Sequence, residues 1–327
     1  MRQAQQNLTT IQGGNLPKLA AVAVLLFASW PAVSQAQQPG QKTFASAEEA
    51  SNALVTATQN NDEKVMLEIF GPDGKTVVSS GDEVEDQANR NNFVKKYHEM
   101  HRLVMEPDGT TTLYIGAENW PTPIPLVHKG NLWYFDTGAG TREILYRRVG
   151  RNEITTIRVC AVLVAAQKSF YAENHNEYAQ RFFSDAGQHN GLYWKAADGA
   201  PQSPIGPLIA SAVKEGYASI PEGGATPFHG YYFHILFAQG HHAPGGSKTY
   251  LVHGKMTGGF AFVAYPAEYR SSGVMTFIVG SNGVVYEKDL GSDTEARVKA
   301  MKKFDPDSSW KKTAIEPEQS ASEQKAD

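Results

Sequence analysis

Between Thr141 and Asn174 the chain reads "TREILYRRVGRNEITTIRVCAVLVAAQKSFYAEN", with no proline and with Gly150 as the only weak point. Breaker-free sequence of this length predicts a single long helix. Within it Ile157, Cys160, Ala161, Val164, Lys168 and Tyr171 follow three-and-four spacing and mark the expected buried stripe. The stretch from Gly138 to Gly140 reads as a Gly-rich break ahead of the helix and places a domain boundary there. A chain of 327 residues is long enough for two domains, here 43–140 and 141–304.

The first half starts with helices. In "SAEEA", Ser46 and Glu49 make a capping box for a helix to about Gln59, and Asp62 caps a second through Phe70. Gly71 and "PDG" close it, and "KTVVS" is expected to be a short strand. From Asp82 the spacing of Phe93, Tyr97, Met100 and Val104 predicts a longer helix. The segments "TTTLYIG", "IPLVHK" and "LWYFDT" then read as strands, the last two joined by a hairpin at Lys129-Gly130-Asn131. The prolines at 121, 123 and 125 confine the start of the middle one to an edge or bulge.

The second half continues past the long helix with a short helix, "PLIASAVKEGY", and the strands "GYYFHILFAQ", "TYLVHG", "GFAFVAYPA", "VMTFIVG" and "VVYEKDL". The fold class is therefore α+β: N-terminal helices plus an antiparallel meander, then a long helix packed on an antiparallel sheet. Residues 305–327, rich in Lys, Glu, Asp, Ser and Gln, are expected to be a disordered tail.

Residues 1–36 have the three parts of a signal peptide: Arg2 and Lys18, the apolar run Leu19 to Ala28, and Ser34-Gln35-Ala36 as a small-x-small cleavage site. That run has ten residues, against about 20 needed to span a bilayer. Cleavage, a periplasmic or secreted location and no stable membrane span are the expectation, with retention as an anchor the alternative. The net charge of −4, from 30 basic and 34 acidic residues, gives no basic footprint, so nucleic acid is not an expected partner. Cys160 is the only cysteine. An exported chain with one cysteine has no internal disulfide, and Cys160 reads as a small buried apolar residue.

Seven blocks carry a resemblance: "FASAEEASNALVTA", "IFGPDGKTVVSSGD", "PIPLVHKGNLWYFDTGAG", "RRVGRNEITTIRVC", "PFHGYYFHILFAQG", "APGGSKTYLVHGKMTGGFAFVAYPAEY" and "TFIVGSNGVVYEKDLG". Together, over Phe44 to Gly291, they resemble the exported bacterial family catalogued as domain of unknown function 2950, which implies export and no particular activity. From Thr141 to Gly291, the long helix with "AAQKSFY" and the sheet ending "TFIVGSNGVVY" are similar to the globular part of type IV pilins and pseudopilins. Pilins begin with the apolar half of that helix, whereas here a whole domain precedes it. The helices-then-meander order of the first half is similar to nuclear-transport-factor-like cones.

Four groups of residues invite a chemical reading. His98 and His101, three apart with Glu99 between, could share a helix face, although the spacing is not His-Glu-x-x-His; a solvated face is expected. His234, His241, His242 and His253 lie on or beside strands, but the adjacent His241 and His242 point apart on an extended backbone. His229, in "PFHGYY", reads as a buried, hydrogen-bonded histidine. Glu287 and Asp289 share a strand face after an expected type I′ turn at Asn282-Gly283. At roughly 6.5 to 7 Å their spacing is one that glycosidase carboxylates can have, but the adjacent Lys288 and the strand end make a solvated edge the expected reading.

No nucleophile elbow, phosphate-binding Gly-Lys-Ser loop or dinucleotide fingerprint occurs. No residue is accordingly assigned a catalytic, cofactor-binding or metal-ligating role, and no cofactor is expected. The expected function is a non-catalytic interaction or scaffolding module of the cell envelope with a protein partner. The alternative is a small-ligand binder or enzyme with a pocket in the first half lined by Tyr114, Trp120, Trp133 and Phe135.

Overall fold

The caps predicted for the first helices are present. Ser46 Oγ accepts from Glu49 N at 3.0 Å to open α1 (Ala47–Gln59), while the Glu49 carboxylate reaches Ala45 N, one residue before the cap. Asp62 and Asp82 do the same for α2 (Glu63–Phe70) and α4 (Glu83–Glu99) through Val65 N and Glu85 N. The computed structural model describes residues 37–197, 202–217 and 226–314. The expected signal peptide lies outside the described residues.

Two expectations in this region are corrected. "KTVVS" forms the short helix α3 (Lys75–Val78), reached through a 3₁₀ turn at Pro72–Gly74. Its β-branched residues favour a strand only where a partner strand accepts them, and here the Thr76 and Val77 carbonyls accept from Arg148. Helix α4 stops at Glu99, and Val104 belongs to the strand β1 (His101–Met105). This strand is paired with β2 (Thr111–Ile115) through the Pro107-Asp108-Gly109 turn. The short β3 (Trp120–Pro121) and the hairpin of β4 (Leu126–Lys129) and β5 (Leu132–Phe135) complete an antiparallel sheet ordered β1-β2-β4-β5, with β3 beside β2. Leu54, Ile69, Phe70, Leu126 and Phe135 are central to the core between these helices and this sheet.

Helix α5 (Thr137–Glu173) has 37 residues, about 55 Å at 1.5 Å per residue. Gly138 and Gly140 are not a break. They form its first turn, behind the cap from Asp136 to Ala139 N, and a side chain at Gly140 would collide with Pro123 O. Ile144 of α5 packs on the core of the first half, while Ile157, Cys160, Leu163, Val164 and Phe170 belong to that of the second. Leu163 and Phe170, rather than Lys168 and Tyr171, complete the buried stripe.

Beyond α6 (Gly206–Lys214) come β6 (Tyr231–Leu236), β7 (Ala238–Gln239), β8 (Lys248–Thr249), β9 (Leu251–Val252), β10 (Lys255–Met256), β11 (Ala261–Pro266), β12 (Met275–Gly280) and β13 (Val285–Asp289). Helix α7 (Thr294–Ala300) and β14 (Lys311–Lys312) follow. The main sheet is antiparallel in the order β14-β13-β12-β11-β6. Helix α5 packs against β11 and β12 while α7 also packs on β11, and all six residues of β11 are buried. Residues 305–314 are ordered, contrary to the expected disorder from Asp305: Lys311 and Lys312 pair with Glu287 and Tyr286. The fold is α+β, and among the described residues no helix is long and apolar enough to cross a membrane.

Candidate functional site

An apolar cavity opens within the first half. Leu54 and Thr58 of α1, Met66 and Phe70 of α2, Val78 of α3 and Phe93 of α4 meet Ile124, Phe135 and Ile144 around a cavity of ≈220 Å³. Helices α1 and α2 turn apolar stripes toward the sheet, whereas α4 turns Asp86 and Arg90 inward beside Tyr97. Their side chains leave the space unfilled near the start of α5.

Three charged groups face this cavity and each is itself nearly buried: Asp86, Arg90 and Arg148. The Asp86 carboxylate accepts from Ser80 N at 2.8 Å. Burial raises its pKa, an effect that the Ser80 donors, Arg148 and Arg90 oppose. Arg90 donates to Asn61, Glu83 and Glu63. Arg148 donates to the Thr76 and Val77 carbonyls at 2.7 and 3.2 Å, and burial lowers its pKa against the pull of Asp86 and Glu85. In the same wall the buried Thr122 Oγ1 has no hydrogen-bond partner among the described residues. An apolar enclosure with a few convergent polar groups is the general form of a small-molecule site.

The cavity continues outward. A neighbouring groove of ≈270 Å³ shares Val77, Phe93, Thr122, Ile144 and Arg148 with it and adds Lys96, Trp120, Arg147 and Arg151. Lys96 and Arg147 lie 6.0 and 5.5 Å from the Trp120 ring centre. Their carboxylate partners are exposed: Glu118, 2.8 Å from Lys96, and Glu143, 2.7 Å from Arg147. Arg151 pairs with the buried Glu85 at 2.6 Å.

Of the four aromatic residues expected to line a pocket, Phe135 lines the cavity and Trp120 the groove. Tyr114 and Trp133 do not. Burial along β2 alternates, so Leu113 and Ile115 face the core while Tyr114 faces away, donating to Glu106 with Arg102 over its ring. Trp133 packs at the margin of the same core, tilted against His128, outside the cavity lining. The helical share of the lining was visible only as apolar stripes, which do not distinguish a wall from a filled core.

The other candidates are mostly separated. His101 is on β1, stacked 3.9 Å from Tyr97, and shares no helix face with His98. His229 pairs with Glu215 at 2.9 Å, and His234 with the Tyr265 hydroxyl at 3.1 Å. His253 turns the chain between β9 and β10. Asp289 accepts from Gly291 N and the Tyr269 hydroxyl, while Glu287 is partly buried, its pKa raised by burial and then by Glu153. The turn before them is not type I′: only Gly283, not Asn282, has positive φ, and Gly283 N donates to Gly280 O, which is the geometry of a longer loop. The expectation that His241 and His242 point apart is also corrected. They sit in a turn, with ring centres 3.7 Å apart and both beside Asp305. Cys160 is fully buried, and its thiol is pushed up to about 12 by burial.

No curated protein and no solved structure matches this chain. The family described as "Protein of unknown function (DUF2950)" matches residues 41–313, which takes in both halves and the cavity. On that match the chain belongs to the DUF2950 family.

Proposed function

We propose that this protein binds a small, mainly apolar ligand carrying an anionic group, and that it does so outside the cytoplasm. The observation that carries the reading is the continuity of an apolar cavity with a groove edged by Lys96, Arg147, Arg148 and Arg151. The cavity of ≈220 Å³ exceeds the roughly 150 Å³ that accommodates benzene in an engineered protein core, so a ring or short chain fits. The anionic end then lies beside the guanidinium groups, which recognise carboxylate or phosphate through paired donors. Glu118 and Glu143, being exposed, give way at little cost. Export is supported by the segment from Arg2 to Ala36.

Titration with anilinonaphthalene sulfonate, an anionic aromatic probe, tests the site. Ile144→Trp fills the shared wall and should weaken binding, and Arg147→Gln with Arg151→Gln should weaken it in a salt-dependent way. Unchanged affinity in both variants would overturn the assignment. Fractionation with N-terminal sequencing tests export: a soluble extracytoplasmic chain starting near Gln37 is expected, and an intact Met1-to-Trp30 segment in the membrane pellet would refute it.

A second reading, as an interaction module of the envelope, takes its support from β6. It is the terminal strand of the main sheet, and a groove lined by Phe182, Phe183, Phe233, Ile235 and Phe237 runs beside it. Open edges with side-chain pockets accept an added strand. The pilin-like order of helix and sheet belongs to this reading. Loss of an envelope partner on Ile235→Pro, with probe binding at the cavity unchanged, would favour it.

A further inference from the structure

The loop "GHHAPGG", residues 240–246, joins β7 to β8 and is held from several directions. The Gln239 side chain, itself buried, donates to Pro244 O at 2.9 Å and Gly246 O at 2.6 Å, and accepts from the Tyr250 hydroxyl at 3.1 Å. Phe304, after α7, forms a parallel bridge with Gln239, donating to Ala238 O and accepting from Gly240 N, each at 2.9 Å. This bridge sets Asp305 against Gly240. A side chain at Gly240 would collide with the Asp305 carboxylate, so glycine is what lets the carboxylate in.

Asp305 Oδ1 accepts from His242 N at 2.8 Å and lies 3.2 Å from His242 Nδ1, while Oδ2 is 4.0 Å from His241 Nδ1. One ligand atom from each of the three side chains falls within 4.8 Å of the others. A tetrahedral zinc ion bonded at 2.0 to 2.2 Å holds its ligand atoms roughly 3.3 to 3.5 Å apart. The observed separations from Asp305, 3.2 Å to His242 Nδ1 and 4.0 Å to His241 Nδ1, bracket that spacing. From these observations we infer that His241, His242 and Asp305 form a binding site for a divalent cation of the zinc class.

The donor set selects the metal. Two imidazoles and one carboxylate suit zinc and its neighbours, whereas calcium and magnesium take oxygen ligands. Three protein ligands leave a fourth position open to water or to an outside group, in keeping with the exposure of His241 and His242. The site ties the loop between β7 and β8 to the segment that leads from α7 into β14, so that metal binding fastens these two pieces together. It lies in the second half of the chain and stands independently of the ligand cavity.

Tag-free full-length protein, stripped with chelator and dialysed, is titrated with zinc chloride by calorimetry, and magnesium chloride serves as the comparison. One equivalent of zinc should bind, with no heat from magnesium, and should raise the melting temperature. His241→Ala and His242→Ala should each weaken binding by at least about tenfold, since loss of a mere supporting group around a metal costs 10- to 100-fold. His253→Ala, away from the cluster, should bind as the parent does. His241 is 74 % exposed, so its removal leaves the fold intact and the test readable. Failure to bind zinc, or binding that survives both His241→Ala and His242→Ala, overturns the site.

Discussion

Asp82 Oδ2 accepts from Gly230 N at 2.9 Å across 148 residues of sequence, while Oδ1 caps α4 through Glu85 N at 3.1 Å. One carboxylate thus both starts a helix of the first half and holds the entry to β6 in the second. The Tyr217 hydroxyl donates to the same Oδ2 at 2.8 Å and accepts from His229 N at 3.0 Å.

Removing this carboxylate should cost more than an ordinary cap. Asp82 is 1 % exposed, and Asp82→Ala leaves the Gly230 amide and Tyr217 hydroxyl buried without their acceptor. A lost cap of ~1 kcal/mol and ~1 to 3 kcal/mol for each of the two unsatisfied donors together predict a loss of roughly 3 to 7 kcal/mol. Urea unfolding followed at the tryptophans measures it. Gly230→Ala should also destabilise, because φ is 73° and a Cβ would meet Asn152 Nδ2 at 2.7 Å and Ser272 Cβ at 2.8 Å.

Asp86 should leave a signature in the pH dependence of stability. Its folded pKa is raised above 3.8, first by burial. A raised acid binds more protons folded than unfolded, so its contribution favours the fold below 3.8 and declines as pH rises through the raised value. Asp86→Asn removes that component. Plotted as wild type minus variant, stability should fall from acid toward neutral pH and then level; a rising difference curve would contradict the assignment.

Cys160 should be silent toward thiol reagents in the native protein, because its thiol is fully buried and its pKa is pushed up to about 12. One equivalent should react after unfolding in guanidinium. Cys160→Ala should cost on the order of 1 kcal/mol, as a small buried truncation does. Rapid stoichiometric labelling of the folded chain would show that the site opens.

At the hairpin between β12 and β13, Gly283→Val should destabilise by roughly 1 to 3 kcal/mol, since φ is 75° there and a β-branched residue is strained in that region. Asp289→Asn should stay within about 0.5 kcal/mol of the parent, as exposed sites do. Glu287→Gln should hold or raise stability near neutral pH, because it removes a carboxylate disfavoured by burial and by Glu153. Thermal melts of the three variants check the ordering.

The sequence by itself determined the elements whose causes are local. Ser46, Asp62 and Asp82 cap amides three residues away. The long helix follows from an uninterrupted run of helix-compatible residues, and the strand alternation of β2 from its own side chains. Where a segment's partner is distant, local reading failed. "KTVVS" carries strand-forming residues, but Arg148, 72 residues from Thr76, takes the carbonyl that a neighbouring strand would need. The end of α4 and the order in 305–314 were likewise set by pairing with β2 and β13.

Only the tertiary structure decided the sites. The cavity is the volume left between side chains from five helices and a sheet, a difference between large packed volumes that no single segment encodes. His242 and Asp305 lie 63 residues apart and meet because Phe304 bridges Gln239. The rings of His241 and His242 converge because a turn, held by the Gln239 side chain, replaces the extended backbone on which neighbours diverge. Caps and periodicity depend on atoms a few residues apart, whereas a site depends on where the packed chain returns.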